Sequence, residues 1–391
     1  HNDATMALST VKFPSGVEIK NLGPEARCMT CHEGRASKKT IDDLIAKFKA
    51  TDLDKVVDPI TNSDGTKSNF SLQTAHYFTA ALSLYGTEVK GGYEYAGKRY
   101  DAKFAHVEGY DTCNSCHNPH SLELEIAKCA TCHTGAKTVE DIRKIRMVSS
   151  TKDFNGNGDV KEGMAAEVAG VQATLLKAIY AYAKDVLGVG IVFDGAAYPY
   201  WFQDKESDGK ADKDDKGANI SFTKVSPRLL QAAFNYVVVA KDPGLYAHNA
   251  KYGIELMYDS IADLNTKLPT KVDISKFVRE DVGHFSGAGY AFRRWDSNYI
   301  VPAGCAKCHS TGGLPEFIAN AGKMLVTSTG TLETTGVVAK PSANGFMCET
   351  CHTAKMPEVF AVVNVPFPNG SNITFSTKKD DKGNLLPVGS N

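Results

Sequence analysis

Apolar positions recur at steps of three and four from Val168 through Val171, Leu175, Ile179 and Tyr182 to Val186. That spacing predicts a helix with one face turned to a core, and Gly188 is a fitting stop. A second helix is predicted to start at Ser226-Pro227, where a capping hydroxyl precedes a residue whose φ is already helical. Leu230, Phe234 and Val237 carry its stripe until Asp242-Pro243-Gly244 breaks it. A third helix is expected over 246–264, with His248, Tyr252 and Leu256 on one face at i, i+4. Elsewhere the pattern reads as loops, short strands and turns. No apolar run approaches the roughly 18 residues of a membrane span; Tyr236–Ala240 is among the longest. With no secretory signal in the pattern, the chain reads as a mature form starting at His1.

Composition changes the picture in one respect. The 391 residues balance 44 basic against 45 acidic side chains, so nothing draws the chain toward nucleic acid. The ten cysteines, however, fall into five copies of Cys-X-X-Cys-His: Cys28/Cys31/His32, Cys113/Cys116/His117, Cys129/Cys132/His133, Cys305/Cys308/His309 and Cys348/Cys351/His352. A shuffled chain of this composition would carry about 0.007 such motifs. This is the attachment pattern of haem c: two thiols form thioethers to the porphyrin, and the adjacent His becomes the proximal iron ligand. A disulfide framework would not place His after every second Cys, zinc would leave the His repetition unexplained, and a thioredoxin-like motif occurs singly. Five haems c are expected. Because haem c is attached outside the cytoplasm, an exported protein follows, extracellular or at the cell surface, or alternatively periplasmic.

Six histidines remain: His1, His76, His106, His120, His248 and His284. With His1 as the terminal spare, five internal histidines match five irons, and His76, His106, His120, His248 and His284 are read as distal ligands. His120 follows His117 too closely to serve the same iron, so it is assigned to a neighbouring haem. Which distal His meets which haem stays open. Bis-histidine irons have no exchangeable position, which argues against catalysis, and they lack the Met ligand that raises potential, so low potentials are expected. Five haems also add about ten propionate carboxylates to the surface charge.

Haem spacing along the chain is uneven, with only eleven residues between His117 and Cys129 and none of the motifs between His133 and Cys305. The fold class expected is a haem-organised, coil-rich multihaem cytochrome c with several α-helices and few short strands. Three regions suggest themselves within what reads as one continuous haem-wrapped unit: 1–150 with three haems, 151–270 helical and haem-free, and 271–391 with two haems. Two acidic loops flank the first long helix. Asp153, Asn155, Asn157, Asp159 and Glu162 place oxygens as a calcium loop does, although Met164 stands where a bidentate Glu belongs. Asp204, Glu206, Asp208, Lys210, Asp212 and Asp215 make a fuller set, whose alternative is a solvated Asx-rich loop. Finally, residues 11–19 match residues 365–373 at five of nine positions, each with a Pro-X-Gly turn. Two independent hairpins and an ancestral repeat explain that echo equally well.

The sequence resembles the extracellular multihaem c-type cytochromes, including the group that polymerises into cytochrome nanowires. The resemblance rests on Cys31-His32-Glu33-Gly34-Arg35, His76-Tyr77 with Leu84-Tyr85-Gly86, Cys116-His117-Asn118-Pro119-His120, Lys241-Asp242-Pro243-Gly244 with His248-Asn249, and Gly283-His284-Phe285. It implies bis-His haems stacked in a continuous chain and a head-to-tail homopolymer that conducts electrons outside the cell. It also implies redox partner proteins or extracellular acceptors. Alternatives are a soluble periplasmic carrier and a multihaem oxyanion reductase.

Overall fold

Three helices carry the core in the computed structural model: Met164–Asp185, Pro227–Ala240 and Ala250–Asn265, each packed on the other two. The model describes residues 7–280, apart from 77, 99, 105, 107–109 and 147–151, and beyond them four short strands between 333 and 374. One compact unit comprises His1–Phe104 and Cys116–Gly283, and a second comprises Ala105–Ser115 and His284–Asn391. No helix among the described residues is long and apolar enough to cross a membrane.

The first two helices form where the apolar period places them. Val168, Val171, Leu175, Ile179 and Tyr182 are all buried on one helix, which ends before Gly188 in left-handed conformation (φ 75°). Ser226 caps the second by accepting from Leu229 N–H (3.3 Å), and Pro227 opens it. Every residue from Pro227 to Val239 is buried. A hairpin of Ile191–Phe193 against Trp201–Gln203 lies against it, with Phe193 4.8 Å from the Tyr236 ring. The third expectation needs correcting. Instead of one helix over 246–264 there is a short one, Leu245–His248, and a second beginning at Ala250. Asn249 breaks them (φ −170°, ψ 76°), and its side chain caps the next helix at Tyr252 N–H (3.2 Å). Tyr252 and Leu256 therefore join Tyr100 in the core, while His248 belongs to a different face.

The loop-rich first hundred residues are tied to these helices by buried polar groups. Asn235 accepts from Tyr93 N–H (2.6 Å) and donates to Tyr93 C=O and to Ser260 Oγ (both 3.0 Å). Arg228 donates to Asp54 (2.7 Å), which also accepts from Tyr182 Oη (2.7 Å). Tyr100 Oη donates to Asp259 (2.7 Å), whose carboxylate also receives Arg279 Nε and Nη2 (2.9 and 2.8 Å). Tyr252 Oη accepts from Gly92 N–H (2.9 Å) and donates to buried Glu94 (3.1 Å), whose other oxygen takes Thr87 Oγ1 (3.0 Å).

All strands among the described residues pair as two-stranded antiparallel hairpins. The echo between the chain ends extends to register: Val11 pairs with Ile19, and Val365 with Ile373. A third hairpin with no likeness in its strand residues, Ile60–Thr61 with Lys67–Ser68, has the same span, with Ile60 paired to Ser68. Gly16 (φ 91°) and Gly65 (φ 80°) close two of these turns in the same left-handed position, each donating to the carbonyl three residues back (2.8 and 3.0 Å). A type I turn followed by a left-handed residue explains the geometry without common ancestry.

Burial raises the Glu94 carboxyl from 4.5 to about 7. Because the folded value lies above the unfolded one, Glu94 supports the fold below about pH 4.5 and that support is lost as pH rises through 7. Glu94→Gln keeps the shape without the titration. Denaturant midpoints measured across pH 4.5 to 7 should fall less steeply for the variant than for the parent; equal slopes would assign the pH dependence elsewhere.

Candidate functional site

Three haem motifs lie among the described residues. The first occupies a helix, Ala26–His32, that buries Ala26 and Met29 and leaves Cys31 exposed and Cys28 half-buried. His32 ends this helix; its ring stacks on Phe78 (centres 6.2 Å apart, planes 15° apart), and its Nδ1 is buried without a hydrogen-bond partner. The segment carrying His76 runs beside this motif, since Ala75 C=O accepts from Arg35 N–H (3.0 Å). His76 itself is exposed and sits at φ 71°, a conformation uncommon outside glycine.

The second and third motifs share one short stretch. A turn of helix, Cys113–Cys116, leads to His117, and the helix Ile126–Cys129 begins the next motif. Between them the chain folds back tightly: Asn118 N–H donates to Glu123 C=O (2.9 Å), Leu122 N–H to Asn118 C=O (2.8 Å), and Glu125 N–H to Cys116 C=O (2.9 Å). Leu122 is exposed and left-handed (φ 63°), and its carbonyl lies 3.3 Å from His117 Nδ1. Cys132 is exposed, and His133 opens on a cleft lined by Lys144, Ile145 and Arg146. Burial lowers the basicity of His117 and His133, favouring the neutral ring that an iron ligand must present.

Of the expected distal ligands among the described residues, His248 is placed beside a proximal His, His117. Its ring centre lies 6.5 Å from that of His117, with planes 39° apart. Asp242 Oδ1 holds His248 Nδ1 at 2.8 Å and accepts Gly244 N–H at 3.1 Å. The ring lies over Gly244, where a Cβ would come 2.6 Å from His248 Cε1. Asp242 is buried, and its Oδ2 has no hydrogen-bond partner. These residues fit a haem iron: the two ring centres lie 6.5 Å apart and each Nδ1 meets an oxygen of Leu122 or Asp242, which makes Nε2 the nitrogen a metal would take. The sequence presents Asp242-Pro243-Gly244 as a helix breaker and as part of the family resemblance, without a role for Asp242 at His248. An acidic residue six positions before a candidate ligand was the signal available. His106 and His120 are exposed, His120 donating its N–H to Asn118 Oδ1 (2.9 Å). His1, His284, His309, His352, Cys305, Cys308, Cys348 and Cys351 lie outside the described residues.

The two acidic loops start alike and end differently. Asp153 accepts from the N–H groups of Gly156, Asn157 and Gly158 (2.7, 3.1 and 2.7 Å), and Asp204 from those of Asp208 and Gly209 (3.1 and 3.0 Å). Glu162, not Met164, reaches the first loop, meeting the side-chain amides of Asn155 and Asn157. In the second, Asp212 turns to Gln203 Nε2 (2.9 Å) and Lys205 N–H (3.2 Å), while Asp215 falls in a separate turn closed on Asp214. Among the described residues no three His, Cys, Asp or Glu side chains gather as a metal group, in either loop.

No family model matches the chain, and no solved structure does. Curated relatives do. The chain is 30% identical over 273 residues to the C-type polyheme cytochrome OmcB of Geobacter sulfurreducens, covering 60% of this chain and 30% of that protein. It is 29% identical over 295 residues to OmcC of the same organism, a C-type polyheme cytochrome as well, covering 65% of this chain and 32% of the relative. The matched region thus spans about a third of the length of these relatives. The chain thus carries five haem c attachment motifs and is similar, over 60–65% of its length, to C-type polyheme cytochromes.

Proposed function

We propose that the chain relays single electrons outside the cytoplasm through five haems c, each iron held between two histidines. The observation that carries the reading is the match between five complete motifs, which use every cysteine, and five further internal histidines. Bound haem supplies a one-electron iron couple; the polypeptide's part is to attach, orient and space it. Cysteines fix each ring, His32, His117, His133, His309 and His352 ligate one side, and His76, His106, His120, His248 and His284 the other. Support for a continuous path comes from the spacing of the second and third motifs, which eleven residues separate. Saturated irons leave no position for a substrate, so electron transfer is favoured over oxyanion reduction.

The intact mass should exceed the polypeptide by five haem groups, and the reduced wild type should bind no carbon monoxide and show no high-spin ferric signal. Four haems or fewer would break the count. A carbon monoxide site in the intact protein would put the reductase reading first.

The finer reading is a head-to-tail filament, since a heterologous contact that does not close into a ring propagates. Its haems would pass electrons to a neighbouring copy and on to partner proteins or extracellular acceptors. Electron micrographs of the native preparation should show filaments, and strictly monomeric particles at high concentration would leave a soluble carrier.

Calcium enters the reading at the acidic loops, and the 153–162 loop is the one to test, since Glu162 turns onto it. Asp153, Asn155, Asn157 and Glu162 supply hard oxygens there, and Glu167, buried on the first long helix, anchors the loop through Phe154 and Asn155 N–H (2.9 and 3.0 Å). Chelator should lower the thermal midpoint, and calcium should restore it. An unchanged midpoint would leave a solvated loop.

A further inference from the structure

We propose that His117 and His248 are the two axial ligands of one iron, that of the haem attached through Cys113 and Cys116. Asp242 is the positioning residue that holds His248 for it. The pairing rests on the bis-histidine reading above and assigns one of the five partnerships the sequence leaves open.

Distance argues first. A metal–imidazole bond is about 2.0–2.1 Å and a ring centre lies about 1.1 Å beyond its nitrogen, so two imidazoles across one iron have centres about 6.3 Å apart. His117 and His248 stand 6.5 Å apart. That gap is the width that one interposed metal fills.

Hydrogen bonding points the same way. A histidine that ligates a metal through one nitrogen donates the other to a carboxylate or a carbonyl, which fixes its tautomer and orientation. Asp242 Oδ1 does this for His248 at 2.8 Å, and Leu122 C=O faces His117 Nδ1 at 3.3 Å. Both supports come at a cost. Leu122 adopts a left-handed conformation (φ 63°) that a leucine avoids. Asp242 is 3% exposed and leaves Oδ2 without a partner. A buried carboxylate in that state is unfavourable unless positive charge stands nearby, and a ferric iron beyond the His248 ring supplies it. Gly244 completes the seat, since a Cβ there would drive into the ring.

The chain's other described candidates are differently placed. His76, His106 and His120 are all exposed, whereas His248 is half-buried against the partner just described.

The test uses the haem-loaded protein. His248→Ala should keep the full haem mass and gain one high-spin ferric signal and one carbon monoxide site. Cys113→Ser with Cys116→Ser should lose one haem, and adding His248→Ala to that variant should open no further site. Carbon monoxide binding by the combined variant would show that His248 serves another haem; none by His248→Ala alone would show that it serves no iron. Either result overturns the pairing. Should the haem-deficient variants fail to fold, a single-particle map of the wild-type holoprotein decides directly. Density joining His248 Nε2 to any iron but the one on Cys113 and Cys116 overturns the assignment. Asp242→Asn tests the positioning role by a readout that packing would not move. One haem should stay low-spin while its midpoint potential shifts upward, because a negative charge that favours ferric iron has gone. Unchanged potentials would reduce Asp242 to a structural residue. Failure of the underlying reading is distinguishable, since it would appear as an open haem in the wild type before any residue is changed.

Discussion

A chain that is mostly loop must still find partners for every polar group it buries, and the buried helix Pro227–Ala240 provides them. Arg228, Gln231 and Asn235 point from it into the first hundred residues, where they meet Asp54 and both the backbone and the hydroxyl of Tyr93. Its last turn does the same through its backbone: Val238 and Lys241 carbonyls accept Thr79 Oγ1 and N–H (2.9 and 3.1 Å). Thr79 follows directly on Phe78, whose ring stacks on His32. The helix therefore fixes the surroundings of the first motif through Thr79 and Phe78. Removing any one of these polar groups would leave its buried partner unsatisfied at about 1–3 kcal/mol, which is why the network behaves as a frame.

The same helix sets the second motif from its other side. It ends at Lys241, and Asp242 is the next residue, so the carboxylate that meets His248 is placed by the helix end. Haem attachment is local in sequence, three residues within a pentapeptide, whereas a second iron ligand must arrive from elsewhere. Attachment motifs can therefore stand on short helical turns such as Ala26–His32 and Cys113–Cys116, while the second ligand needs an element whose position is fixed globally. A helix buried along thirteen residues is such an element.

Much of this was legible in the sequence, and for identifiable reasons. The stripe from Val168 to Tyr182 has a strict period, and Ser226-Pro227 combines a side-chain cap with a preset φ, so both helices appear as expected. The haem motifs are legible because covalent chemistry demands those residue types at that spacing. The network of Glu94, Tyr252, Asn235 and Asp259 was not, because a polar residue that is buried and satisfied looks like a surface residue until its partner, some 150 positions away, is known. The hairpin echo is a different case. Residues 11–19 and 365–373 look alike, but the 60–68 segment adopts the same span without that likeness, so turn chemistry is enough to give the shared register.

The misread helix at 246–264 is the instructive case. His248, Tyr252 and Leu256 have the spacing of one helical face, and a continuous helix would send His248 toward the same core as Tyr252. Asn249 prevents this. At φ −170° it ends one helix, caps the next through its side chain, and donates to Ala102 C=O (2.8 Å), so the break is held from both directions. Tyr252 can then face Glu94 while His248 turns to Asp242 and His117. Periodicity reports which residues share a face only while the backbone stays helical, and one capping asparagine is enough to separate a core tyrosine from a histidine four positions earlier that turns to Asp242 and His117. A side-chain cap inside an apparently continuous stripe is thus a local sign that the residue before it has been released for another purpose.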